Sequence, residues 1–331
     1  MTTLRKTILG LGLAALAPFA ANAESSILNA SYDVSRELYK DINPAFVAHW
    51  KQTKGADITV NQSHGGSTKQ AKAVAEGLEA DVVTLNQATD LDFLASKDVI
   101  DKDWKSKFPH DAAPYTTTSI FIVRQGNPKG IKDWSDLVKP GVSVVIPNPK
   151  TSGNGRYTYL AAWGYALGAD KSEDKAREFV SKLFANVPVF DGGGRGATTT
   201  FTQRDVGDVL VTFENEVALL KTEFGDKFDV IYPSISIEAA PPVAINKVIT
   251  AKRGTAELAK GYLDFLYTPA AQKIIAKHGF RPWDKDALAE AKLPEIKTFK
   301  VEDKISSWAD AQKKHFADGG IYDQITTTKS N

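Results

Sequence analysis

The sequence predicts an α/β fold in two lobes, on three observations. Short apolar β-runs alternate with amphipathic helical stretches, the grammar of a parallel sheet covered by helices. About 308 residues follow the first 23, enough for two cores. Two long β-rich runs, 115–124 and 235–249, interrupt the alternation, and no internal repeat, low-complexity tract or Gly/Ser-rich linker occurs. The chain is therefore expected to pass between lobes on structured strands, near residues 114–118 and again near 236–242.

The elements follow in order. Residues 27–32 (ILNASY) read as a strand with Asp33 at its carboxyl end. Over 36–50, Leu38, Ile42, Phe46 and Trp50 share one helical face. Residues 57–61 (DITVN) alternate as a second strand and run into the polar loop Gln62-Ser63-His64-Gly65-Gly66-Ser67; 68–78 then read as a helix. Residues 80–85 (ADVVTL) make a third strand. After the run 115–124 come the turn 126–129 (GNPK), a short helix over 134–138 and a buried strand over 142–146. The stretch 148–167 (NPKTSGNGRYTYLAAWGYAL) opens as a polar loop and becomes an aromatic, alanine-rich helix. A helix over 173–183 and a strand over 187–190 lead to the glycine-rich junction Asp191-Gly192-Gly193-Gly194-Arg195-Gly196 and a threonine-rich helix over 197–203. Strand 208–213, helix 214–224 and strand 228–231 follow. Residues 256–266 and 270–278 are strongly helical, and the remainder through 307–316 reads as a C-terminal helical cover.

Composition supplies an address. Arg5 and Lys6, an apolar run over 8–19 and Ala21-Asn22-Ala23 have the order of a secretory signal peptide, cleaved after Ala23. That run is too short to span a bilayer, since about 18 apolar residues are needed. The expected mature chain is exported and carries a net charge of −1 once Arg5 and Lys6 are removed from the total of +1. Nothing in that balance favours nucleic acid or an anionic membrane. The sequence has no cysteine, and its single methionine is Met1, so the mature chain would contain no sulfur. Such a composition suits a protein made in quantity when sulfur is scarce.

Three glycine-bearing junctions, around Ser67, Ser152 and Gly194, lie between an expected strand and helix. First-turn N–H groups have no partner within a helix, and with the positive end of the dipole they bind an anion without a formal positive charge. Ligands of open α/β sheets gather at the carboxyl ends of strands. Competing motifs are weak. Neither a Walker phosphate loop nor a dinucleotide fingerprint is present. His64-Gly65-Gly66 is similar to an esterase oxyanion loop, but no G-x-S-x-G nucleophile elbow accompanies it, which disfavours a secreted hydrolase. His49, His64, His110, His278 and His315 lack metal-ligand spacing, so neither a metal nor a catalytic centre is expected. Glu214 and Glu216 read as a solvated helix start, and His64 as a polar loop residue.

SYDVSREL (31–38), QSHGGSTKQ (62–70), GNPK (126–129), PNPKTSGNGRYTYLAAWG (147–164), FDGGGRGATTTF (190–201), GDVL (207–210) and LYTPAAQ (266–272) together resemble the periplasmic sulfate/thiosulfate-binding proteins of ABC importers, and more closely the thiosulfate type. The resemblance covers essentially the whole mature chain. It implies a bilobal type II periplasmic-binding-protein fold, with 24–114 plus 240–331 as one α/β lobe, 115–239 as the other, and hinge strands between. It also implies a non-enzymatic monomer that needs no cofactor and hands sulfate or thiosulfate to an inner-membrane ABC permease. Molybdate and phosphate are the alternative oxyanions.

Carried over residue by residue, Ser67 would supply a donor from the first lobe, and Ser152 its hydroxyl with the N–H groups of Gly153 and Asn154. Gly194 would add another N–H, while Asp33 and Arg156 would orient the donor peptides. Two positions depart from the sulfate-specific pattern, which has glycine at 154 and tryptophan at 213. Asn154 keeps its backbone donor; Phe213 has no indole N–H to give. An apolar wall at Phe213 would suit the terminal sulfur of thiosulfate, and binding of both anions is expected.

Overall fold

A computed structural model describes residues 25–168 and 170–327; the expected leader and its cleavage point lie outside the described residues. The chain begins with β1 (Ser25–Tyr32), α1 (Arg36–Lys54), β2 (Ile58–Gly65), α2 (Ser67–Ala75), β3 (Val82–Thr84) and α3 (Ala88–Ser96). After the single turn α4 (Pro109–Ala112) come β4 (Tyr115–Arg124), β5 (Val144–Pro147), α5 (Gly153–Ala166), α6 (Glu173–Ala185), β6 (Phe190–Asp191), α7 (Gly194–Thr202), β7 (Val209–Phe213), α8 (Glu216–Phe224), β8 (Phe228–Ile231) and β9 (Ser236–Ala239). The return comprises β10 (Val243–Ile245), α9 (Lys247–Arg253), α10 (Ala256–Phe265), α11 (Pro269–Lys277), β11 (Arg281–Pro282), α12 (Lys285–Ala291) and β12 (Thr298–Phe299). Three short helices close it: α13 (Val301–Lys304), α14 (Trp308–Ala311) and α15 (Ile321–Thr327).

Two sheets result. The first has the order β10-β3-β1-β2, with β1 parallel to β2 and β3 and only β10 antiparallel. The second runs β12-β9-β4-β7-β5-β6, with β8 and β11 also paired to β4. The second sheet adds antiparallel pairs to the parallel grammar, because β4 is antiparallel to β7, β8, β9 and β11. The reason lies in the connections. Residues 115–124 form one long strand whose paired neighbours all run opposite to it, and β8 and β9 follow one another in the same direction along it with only residues 232–235 between them, too few for a crossover helix. β4 is buried on both faces, with Phe121 and Val123 in the main core and Ile120 and Ile122 in a smaller one beneath α7.

The sheets communicate near both expected places. β3 and β10 belong to the first, β4 and β9 to the second, so the chain passes through residues 113–114 and 240–242. A third passage, at 278–280, brings β11 to the start of β4, where Arg281 pairs with Thr116. The tail departs from the expected boundary. β12 pairs with β9, and Tyr322 of α15 packs edge-on against Tyr159, Phe184 and Phe190, so this end of the chain covers the second sheet. Its aromatic residues find their partners on α5 and α6, a pairing that helical periodicity alone does not specify.

Local signals explain the helix ends. Ser172, Asn246, Thr268, Asp284 and Ser307 each cap a helix with a side-chain oxygen. α1 ends at Gly55 and α9 at Gly254, both left-handed. Tyr322 tests the tail assignment: Tyr322→Ala should destabilise the protein by about 3 kcal/mol in urea unfolding, the usual cost of deleting a buried aromatic ring. Unchanged stability would show that the tail does not support the second core.

Candidate anion-binding site

Three helices start where strands end. Gly66 precedes α2, Ser152 caps α5, and Gly193 precedes α7. Their starting loops touch through backbone. A methyl group on Gly66 would lie 2.6 Å from the Thr151 carbonyl oxygen and 2.7 Å from that of Gly192. On Gly193 it would meet Asp33 Oδ2 at 2.2 Å and the Gly66 Cα at 3.5 Å, and on Gly194 the Asn154 Nδ2 at 3.1 Å. Loops from both sheets thus converge on one place, where three sets of first-turn N–H groups and three dipole ends favour an anion.

Ser67, Ser152, Gly153, Asn154 and Gly194 all belong to this assembly, but not all in the expected manner. The Ser67 hydroxyl donates to Asp90 Oδ2 at 2.6 Å and accepts from the Asn86 N–H at 3.1 Å. Its single proton is committed, so the donor left at this position is the peptide N–H. Ser152 Oγ only accepts, from the Gly155 N–H at 3.4 Å, and keeps its own proton for a ligand. The Asn154 carboxamide donates to Thr212 Oγ1 at 3.3 Å. Phe213 is fully buried, and its ring meets Tyr157 edge-on at 5.6 Å, one turn into α5.

Asp33 and Arg156 do not pair with each other. Asp33 Oδ2 accepts from the Arg195 N–H at 3.1 Å, in the first turn of α7. Desolvation holds that carboxyl above its usual range, although the Arg195 N–H and guanidinium oppose the shift. Arg156 is buried, donates from Nε to the Pro149 carbonyl at 2.8 Å, and places Nη1 3.9 Å from Asp90 Oδ1. Each charge therefore braces a loop from behind: Asp33 holds the start of α7, and Arg156 holds the turn before α5.

Behind α7 sits a charged knot. Arg195 donates to Glu37 Oε2 at 2.5 Å and to Glu216 Oε1 at 3.2 Å, while Thr198 Oγ1 donates to Glu216 Oε2 at 2.7 Å. Burial pushes the Glu216 carboxyl up to about 7 against the opposing pull of Arg195. The solvated reading of Glu214 and Glu216 is overturned. Both are buried, and Glu214 accepts two bonds from Arg281 at 2.7 and 2.8 Å. Their positions at the carboxyl end of β7 turn them inward, to arginines distant in sequence. His64 lies in β2 rather than in a loop; its Nδ1 is 2.5 Å from Ser31 Oγ, and burial lowers the ring to about 4, so it is uncharged at neutral pH.

A roomier cavity of about 570 Å³ lies beside the crossing strands, ringed by Trp104, His110, Tyr157, Trp283 and Trp308. Its wide lining, in which Lys105, Asp111, Glu238, Lys300 and Glu302 stand beside the rings, does not match a small dehydrated anion held by neutral donors. Among the described residues there is no group of three or more metal-ligating side chains, and no helix long and apolar enough to cross a membrane.

The model of the bacterial extracellular solute-binding protein family matches residues 27–281. The chain belongs to that family. This solute-binding protein is 53% identical to the thiosulfate-binding protein of Pseudomonas aeruginosa over 310 residues, covering 92% of this chain and 93% of the relative. It is 50% identical to the sulfate-binding protein of Escherichia coli, covering 91% and 92%. Among solved structures it is similar to the sulfate-binding protein SubI from Mycobacterium tuberculosis H37Rv, with a TM-score of 0.80 and 30% identity, covering 88% and 99%. The fold is the type II periplasmic-binding one.

Sequence reading missed several supports of the solute-binding protein's site. Asp90 gathers Ser67, Thr68 and Gln87 at 2.6–2.9 Å, and Asn86 touches both Ser67 and Gly153. The polar pair Asn86-Gln87 directly after a strand was the available signal; nothing local indicated their partners. Two outcomes follow from this geometry. Gly66→Ala should weaken anion binding at least tenfold in calorimetry with little loss of stability, because its methyl group meets only carbonyls across the cleft. Retained affinity would show that the loops need not approach so closely. For Glu216, the folded state holds a proton between about 4.5 and 7 that the unfolded chain has released. Stability from that proton is complete below pH 4.5 and lost as pH rises to 7, on the order of 3 kcal/mol. Wild type should therefore lose stability relative to Glu216→Gln across that window in chemical unfolding, and parallel pH profiles would contradict the burial argument.

Proposed function

We propose that this protein is a periplasmic receptor that captures sulfate and thiosulfate and delivers them to an inner-membrane ABC permease. The observation that carries the reading is the meeting of three helix starts, contributed by both sheets, at which the donors are peptide N–H groups and the Ser152 hydroxyl. The nearby cations are already engaged: Arg195 by Glu37 and Glu216, Arg156 by the Pro149 carbonyl and Asp90. A dianion is then held by neutral donors, with its charge spread over three dipoles. Ser67, Gly153, Asn154 and Gly194 give N–H groups; Asp33 and Arg156 hold the loops that present them. Two similar relatives, one named for thiosulfate and one for sulfate, support both ligands.

Closure is a hinge motion about the passages at 113–114, 240–242 and 278–280, which separate a lobe on the first sheet from a lobe on the second. The protein works as a monomer and performs no chemistry on its ligand. The burial of Phe213 beside Tyr157 places an apolar surface under the first turn of α5, in keeping with a ligand that carries one large, weakly hydrogen-bonding sulfur.

Anion choice follows from donor count. Sulfate and thiosulfate are unprotonated at neutral pH and only accept, whereas phosphate retains a proton that needs an acceptor. Calorimetric titration of ligand-stripped protein should give binding for sulfate and thiosulfate, with millimolar phosphate failing to displace either. Absence of heat with both sulfur anions would overturn the function, and phosphate competition at comparable affinity would overturn the donor-only site.

A further inference from the structure

One polar group at the junction is out of place. Asn86, two residues beyond β3, is 2% exposed, and its side-chain Oδ1 is fully buried with no hydrogen-bond partner. Its backbone N–H is tied to Ser67 Oγ at 3.1 Å, at the start of α2. Its carboxamide lies against the start of α5: a methyl group on Gly153 would come within 1.7 Å of Oδ1, 2.6 Å of Cγ and 2.9 Å of Nδ2. The residue therefore spans two of the three helix starts, with its backbone on the first sheet's side and its amide against the second's.

A carbonyl oxygen fits poorly there. Everything else presented to the anion is a donor, and a buried acceptor without a partner is costly. The two ends of a carboxamide have nearly the same shape, and rotation about χ2 exchanges an acceptor for an NH₂ group with two donors. We propose that Asn86 is an anion-binding side chain, donating from Nδ2 to the bound oxyanion. This inference rests on the sulfur-oxyanion reading above and adds to it a side-chain donor from the first lobe. It also gives position 153 a reason to be glycine, since any larger residue would occupy the space of the carboxamide.

The arrangement compensates for two losses described above. The Ser67 hydroxyl is spent on Asp90, and Phe213 has no N–H to give. One amide, delivered from the loop that also holds Ser67, restores a side-chain donor. Because it sits on one sheet and abuts a helix of the other, its bond to the anion would form only as the lobes meet.

Calorimetry on the ligand-stripped full chain tests this, with sulfate and thiosulfate each titrated into wild type, Asn86→Ala and Asn86→Asp. Asn86→Ala should weaken both anions about tenfold. Asn86→Asp, the same shape with acceptors and a charge in place of donors, should weaken them at least a hundredfold at pH 8 and recover partly at pH 5. Thermal unfolding of ligand-free Asn86→Ala should stay near the wild-type midpoint, since it removes a buried carbonyl oxygen that has no partner; this separates lost contact from lost fold, while Asn86→Asp, which buries a charge, is compared by its recovery of binding between pH 8 and pH 5. Wild-type binding with both variants within twofold would sink the role of Asn86 and leave the function intact. Absence of binding by wild type would remove both.

Discussion

Everything at the site depends on how closely Gly66 approaches the carbonyls of Thr151 and Gly192. Carbonyl oxygens that close to a Cα admit no side chain, so the loops before α2, α5 and α7 can share one small volume only where this residue is glycine. Once they do, the starts of α2, α5 and α7 lie together. The sheets have no other reason to present these loops together. Each has its own strand ladder, and each loop is an ordinary strand-to-helix turn in isolation. Affinity is thus a property of the meeting between lobes, and neither lobe carries it alone.

Charge is present but held back. Asp33, Asp90, Glu37 and Glu216 on one side, and Arg156 and Arg195 on the other, form pairs that close on themselves behind the donor peptides. A bare arginine in contact with the ligand would bind any anion strongly and release it slowly. Peptide dipoles are weaker individually and fixed in direction, so they reward an ion with acceptors in the right places and penalise one carrying a proton. The carboxylates accept from the Ser67 hydroxyl and from the Arg195 N–H, which keeps the loops rigid without adding positive charge.

Much of this was legible beforehand. Alternating strands and helices announced the class, and three glycine-rich junctions marked the places that meet. Asn154 and Gly194, read as backbone donors, lie together at the starts of α5 and α7. What sequence could not show was pairing over long separations. Glu214 and Glu216 look like any solvated helix start until Arg281 and Arg195 fold onto them. Ser67 looks like a free hydroxyl until Asp90, 23 residues later, takes its proton. The tail was expected with the first lobe, and the aromatic residues of α5 and α6 draw its last helix onto the second sheet. Antiparallel pairing around β4 was hidden for a different reason. The run YTTTSIFIVR reads as a strand by its β-branched and aromatic residues, which carry no information about the direction of its neighbours.

The strand order of the first sheet also bears on how the molecule is made. Its edge strand β10 comes from residues 243–245, after every strand from β4 to β9 has been synthesised. Until then β3 stands with one side unpaired, and the first lobe is a three-stranded fragment that cannot close. A chain emerging at about 5–20 residues per second therefore spends many seconds unable to complete its N-terminal half.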